Sequence, residues 1–251
     1  MFERDLWVGA YTREEFPRYT CPRCKKGRLL QNQSSFLIEE PGFSQKDSQH
    51  PDWEPGWEKE RFSLRLICDN ADCGEIVIVS GDTTVAEYYE DEFNAWGLIS
   101  LLRPQAFFPA PSIISVPEQV PQNVCDEIDK ASQLFWMDFS ASANRLRVSV
   151  ELLLDYFKVP RDGVNGKGKP RRLDLHARIA LFEKSDPDHA PTLTALRMIG
   201  NLGSHGGQVN REPLLDAFEI YEYALTELCG QRKARIAQLR QKLIESKGHY
   251  K

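Results

Sequence analysis

Two hydrophobic periods divide this chain. Before about residue 100 the apolar positions fall in short strand-like runs. Phe62-Ser-Leu-Arg-Leu-Ile-Cys68 and Glu75-Ile-Val-Ile-Val-Ser80 are rich in strand formers, with Gly74 and Gly81 as punctuation. That pattern predicts a β-rich module built on a hairpin. After Pro121 the spacing becomes helical. Val124, Ile128, Ala131, Leu134 and Phe135 mark a first amphipathic helix. Asp138 or Ser140 caps a second, with Leu146, Val150, Leu153, Leu154 and Phe157 on its apolar side, running to Pro160. Residues 173–182 and 191–199 read as two shorter helices. Asn210 caps the last, with Pro213 in its first turn and Leu214, Leu215, Phe218, Tyr221, Ala224, Leu225 and Leu228 inward. The fold class is therefore α+β, a small β-rich module followed by an all-α bundle.

The connecting stretches complete the plan. Pro104, Pro109, Pro111, Pro117 and Pro121 disfavour helix, so residues 101–120 are expected to be an extended connection between a module at 1–100 and a bundle at 121–230. Residues 31–60 form a polar insertion in which Trp53 and Trp57 are expected to pack on the strands, a small module having little other core. Residues 161–172 are Gly-rich and basic and read as a mobile loop. Cys125 and Cys229, among apolar neighbours at the two ends of the bundle, read as core thiols.

Charge narrows the picture. The net charge is −5, but residues 1–120 hold 12 Lys/Arg against 20 Asp/Glu, whereas residues 231–251 hold 7 Lys/Arg against Glu245 alone. An acidic front half is a poor general nucleic-acid binder, while the basic C-terminal helix or tail suits phosphates or an acidic partner. No apolar run is long enough to cross a bilayer, and Met1-Phe2-Glu3-Arg4-Asp5 lacks the features of a secretion signal. The expectation is a cytoplasmic protein without membrane contact.

Candidate chemistry lies first in the cysteines. Cys21-Pro-Arg-Cys24 and, after a gap of 43 residues, Cys68-Asp-Asn-Ala-Asp-Cys73 form two short-spaced thiol pairs at strand ends. Each pair can take one edge of a tetrahedron, which predicts a structural Zn²⁺ site with Cys21, Cys24, Cys68 and Cys73 as ligands. Two alternatives use the same residues: a redox pair, or two disulfides. The longer second spacing also leaves His50, in the gap, as a substitute ligand.

The second constellation is Leu196-Arg197-Met198-Ile199-Gly200-Asn201-Leu202-Gly203-Ser204-His205-Gly206-Gly207. On a continuous helix Arg197, Asn201 and His205 share a face, although four glycines in eight residues predict the end of one helix bending toward the next. A cation, an amide and an imidazole brought together can hold and protonate a phosphate. Arg-x-x-Gly-Asn-x-x-x-His resembles the signature of a widespread bacterial domain of unknown function in the HEPN superfamily. Asn144-Arg145-Leu146-Arg147-Val148-Ser149-Val150-Glu151 is similar to that family's Arg-x-x-Leu-Glu stretch, with Val150 in place of Leu. An N-terminal zinc ribbon is common in such proteins.

The resemblance implies a homodimeric helical domain of bacterial defence or toxin-type systems, whose active members cleave RNA without metal at a site shared by two subunits. His205 would then be the acid/base, Asn201 its polar neighbour and Arg197 the phosphate ligand, with Arg147, Lys167, Lys169, Arg171 and Arg172 contacting substrate. The spacing of active members puts the arginine at 198, 199 or 200, which here are Met198, Ile199 and Gly200. A buried polar cluster in which Arg197 pairs with Glu151 accounts for the same residues without a substrate. A non-enzymatic adaptor that docks a protein partner through its ribbon and dimerises through its bundle is the competing function. A major-groove DNA reader is disfavoured because no helix presents a basic recognition face.

Overall fold

The computed structural model describes residues 2–54, 56–90, 94–164, 166, 168–204, 208–230 and 232–249. The chain is α+β and divides into two compact units: Glu3–Ser112 with Ser132–Met137, and Ile113–Ala131 with Asp138–Lys251. His205 and Lys167 lie outside the described residues.

The first unit is an antiparallel sheet. Its strands are β1 (Leu29–Gln31), β2 (Leu37–Glu39), β3 (Arg61–Cys68), β4 (Ile76–Glu90) and β5 (Ala95–Phe108), in the order β1-β3-β4-β5 with β2 also paired to β3. A short helix, α1 (Gly42–Asp47), lies between β2 and β3. Burial follows the strand period of two: Phe62, Leu64, Leu66 and Cys68 on β3 and Val77 and Val79 on β4 are buried, their neighbours less so. The core is completed by aromatic rings. Tyr19 is fully buried, with Trp7 at 5.1 Å, Phe107 at 5.3 Å and Trp136 at 6.0 Å between centroids.

Two expectations change here. β5 takes in residues 101–108, which proline spacing assigned to a connection. Pro104 is tolerated because β5 is the last strand of the sheet and Pro104 pairs with Gly81 beside a register shift, where a missing N–H breaks no regular ladder. Gly81 is required there, since a Cβ would lie 2.2 Å from the Arg103 carbonyl oxygen. Trp57 is exposed and meets the His50 ring at 6.3 Å instead of packing into the core.

The second unit holds α2 (Gln122–Leu134), α3 (Phe139–Tyr156), the hairpin β6 (Asp162–Val164) and β7 (Pro170–Arg172), α4 (Leu175–Glu183), α5 (Ala190–Ser204), α6 (Arg211–Cys229) and α7 (Arg232–Glu245). The last turn of α2 is counted with the first unit. Asp138 caps α3 by accepting the Ala141 N–H, and Asp174 caps α4 by accepting that of Ala177. Asn210 occupies the N-cap of α6 without a side-chain capping bond. Leu146, Val150, Leu153, Leu154, Leu193, Leu196, Leu214 and Phe218 are buried at helical spacing. The buried Ser149 hydroxyl donates to the Tyr221 hydroxyl at 3.0 Å, tying α3 to α6.

Within the stretch read as a loop, Asp162–Val164 pairs antiparallel with Pro170–Arg172 as a β-hairpin. α5 runs straight through Gly200 to Ser204, where the glycines predicted a bend. The reason is packing. A Cβ at Gly200 would lie 2.5 Å from Arg147 Cβ, and one at Gly203 would lie 2.6 Å from the Ser140 carbonyl oxygen. These glycines let α5 press against α3. They do not end the helix. Cys229 is buried and its thiol is pushed up to about 11 by that burial, whereas Cys125 is half-buried.

Candidate functional site

In the first unit two turns bring the four cysteines together. Cys21 N–H donates to Gly27 O and Lys25 N–H to Cys21 O, folding residues 21–27 into a loop with Lys25 at φ 55°. Gly27 cannot carry a side chain, because its Cβ would meet Cys68 Sγ at 2.5 Å. Across from it Cys73 and Gly74 N–H both donate to Asn70 O, with Gly74 at φ +58°. The Arg28 N–H donates to Asp69 Oδ1 at 2.8 Å and locks one turn to the other.

The four sulfurs lie within 4.8 Å of one another, with Cys21 to Cys73 at 3.8 Å and Cys24 to Cys68 at 3.7 Å. Those separations are far too long for disulfides, and all four are free thiols. Two are buried and two half-buried. Gly27 N–H donates to Cys24 Sγ at 3.3 Å, and the backbone N–H groups of Gly27 and Lys26 hold that thiol below its ordinary value. Burial raises the thiols of Cys21 and Cys68. Four convergent sulfur donors, Cys24 among them already turned toward the thiolate by N–H groups, form an arrangement that can hold a metal ion. His50 is exposed and accepts from Asp52 N–H, so it is not one of this set.

In the second unit α5 carries Arg197 and Asn201, both half-buried and one turn apart. Arg197 does not pair with Glu151: the carboxylate of Glu151 meets Arg147 Nη2 at 3.2 Å. Among the described residues, the buried Nε of Arg197 has no acceptor.

The other predicted substrate contacts fall on or beside the β6–β7 hairpin. Lys169 precedes β7, and Arg171 and Arg172 are exposed on it. Arg147 and Arg172 border one cavity of 340 Å³, together with Arg161, Arg178, Glu151 and Asp174. Arg161 and Arg178 converge on Asp155. Arg161 Nε donates to it at 2.8 Å and Arg178 Nη2 at 2.7 Å, while Arg178 also donates to the carbonyls of Glu151 and Val159. The Arg161 guanidinium, with Arg178 beside it, holds the Asp155 carboxyl below the usual range. Sequence reasoning missed Arg178. Its signal is a charged residue in the buried register Leu175, Arg178, Ile179 and Phe182 of α4.

Residues 9–107 match the family model of a domain of unknown function (DUF8608), and residues 129–245 match that of a second domain of unknown function (DUF4145). No curated protein and no solved structure matches the chain. The first match contains all four clustered cysteines, and the second contains Arg197, Asn201 and every residue bordering the arginine cavity. Among the described residues no helix is long and apolar enough to cross a membrane.

Proposed function

We propose that the protein is a HEPN-like, RNA-associated protein of bacterial defence or toxin-type systems, stapled by zinc in its first unit and homodimeric through its second. The observation that carries the RNA reading is β7, where Arg171 and Arg172 are exposed and have no ion-pair partner among the described residues. Arginines free of carboxylates are the groups that release counterions on meeting a phosphate backbone. In the enzymatic form of this reading His205 acts as acid/base, Asn201 as its polar neighbour and Arg197 as the phosphate ligand, and the RNA 2′-hydroxyl attacks the adjacent phosphate without a metal.

Zinc is the metal this donor set favours. A tetrahedron of sulfurs about 2.3 Å from its centre has edges of about 3.8 Å, close to the Cys21–Cys73 and Cys24–Cys68 separations. Four thiolates leave no open coordination position, so the ion supplies folding energy and activates no water.

Single-stranded RNA titrated at rising salt tests the reading. Log affinity is expected to fall linearly with log salt, and Arg171→Ala to reduce that slope by roughly 0.7. In the same samples, cleavage lost in His205→Ala identifies the enzymatic form. An Arg171→Ala slope equal to that of the wild type, or no binding at low salt, rejects RNA association. The adaptor reading draws on α7, whose Ile236, Leu239 and Leu243 are exposed at spacings of three and four. Partner capture that persists in a protein with no RNA affinity selects it.

A further inference from the structure

The geometry points to a second site: the half-open cavity bordered by Arg147, Arg161, Arg172 and Arg178 binds a phosphate dianion, free or carried on a small molecule. This site goes beyond the RNA reading and does not depend on it. Three elements build the cavity: α3 supplies Arg147 and Glu151, the hairpin and its flanks supply Arg161 and Arg172, and α4 supplies Asp174 and Arg178.

Its charges do not balance. Asp155 takes hydrogen bonds from Arg161 and Arg178, Glu151 pairs with Arg147, and Asp174 is committed to the cap of α4. Arg147, from α3, and Arg172, from the hairpin, reach the cavity from different elements, and the Arg172 fork has no ion-pair partner among the described residues. A carboxylate is satisfied by one such fork. A tetrahedral phosphate offers more oxygens in more directions, and its negative charge offsets the excess of arginines over carboxylates. The volume lies at the small end of ligand pockets, enough for a phosphate with a compact substituent and too little for a folded polymer.

Calorimetric titration of the full chain with inorganic phosphate, AMP and adenosine, at constant ionic strength set with chloride, tests the site. Phosphate or AMP is expected to bind saturably and adenosine not to bind. Saturation by inorganic phosphate identifies the free ion as sufficient; saturation by AMP alone identifies a phosphate that needs its substituent. Arg172 is exposed, so Arg172→Ala should fold normally by circular dichroism and weaken binding about tenfold or more. Arg147→Lys, which keeps the charge and loses the fork, should weaken it as well. Absence of saturation by both phosphate and AMP overturns the proposal, as does Arg172→Ala binding as tightly as the wild type. RNA affinity measured on the same preparations stands or falls separately, because no RNA is present in these titrations.

Discussion

Cys68→Ser, or a chelator that strips the proposed metal, is expected to unfold the sheet of the first unit. Cys68 ends β3, its Sγ lies 3.7 Å from Cys24 Sγ, and its N–H donates to Glu75 O in the turn leading to β4. The cluster thus joins residues 21–27 to the β3–β4 turn. Apparent zinc binding energies in small four-ligand sites are about 10–16 kcal/mol, while a whole domain is stable by only about 5–15 kcal/mol. The aromatic core around Tyr19 offsets part of the loss, but a sheet whose β1 has three residues cannot hold register without that clamp. Hydrogen exchange reads the result by segment. β1 and β3 amides should lose protection while those of α3 and α5 keep it. Retained protection in β3 after complete metal removal would show that the cluster is not a staple.

Gly200→Val is expected to destabilise the second unit by about 1–3 kcal/mol. Two effects compete. Valine is the better helix former by a few tenths of a kcal/mol, but its Cβ would have to occupy space 2.5 Å from Arg147 Cβ and 3.0 Å from the Ala143 carbonyl oxygen. Neither neighbour is the free end of a flexible chain, so α3 and α5 must separate, and packing loss wins. Arg147 moves with α3, so its 3.2 Å pair with Glu151 is disturbed too. Urea unfolding checks the magnitude. Met198→Val, at a position 61% exposed on the same helix, should stay within about 0.5 kcal/mol of the wild type. If both variants unfold at the wild-type midpoint, the close approach of α3 and α5 is not what the glycines provide.

Some of this was legible from residue order alone. Two thiol pairs at strand ends and Asp138 before an apolar helical run are local signals, and local rules suffice to read them; Asp174, the cap of α4, was not picked out. The long β4–β5 hairpin was not legible, because Pro104 breaks a strand only where its missing N–H is needed. Its place opposite Gly81 depends on a partner about two dozen residues away. Gly200 and Gly203 misled for a related reason. Their helix propensity argues for a terminus, while the structure uses their missing side chains in a tertiary contact. Arg178 escaped notice because no single residue marks a cavity assembled from α3, a hairpin and α4. His205, on which the enzymatic reading turns, lies outside the described residues.

The proposed association of the helical unit with RNA is tested most directly by photo-cross-linking with single-stranded RNA followed by peptide mapping. Cross-links are predicted on the β6–β7 hairpin around Arg171 and Arg172 and at the end of α5 beyond Asn201. Cross-links confined to the acidic first unit, or none at a protein concentration that saturates RNA binding, would contradict it.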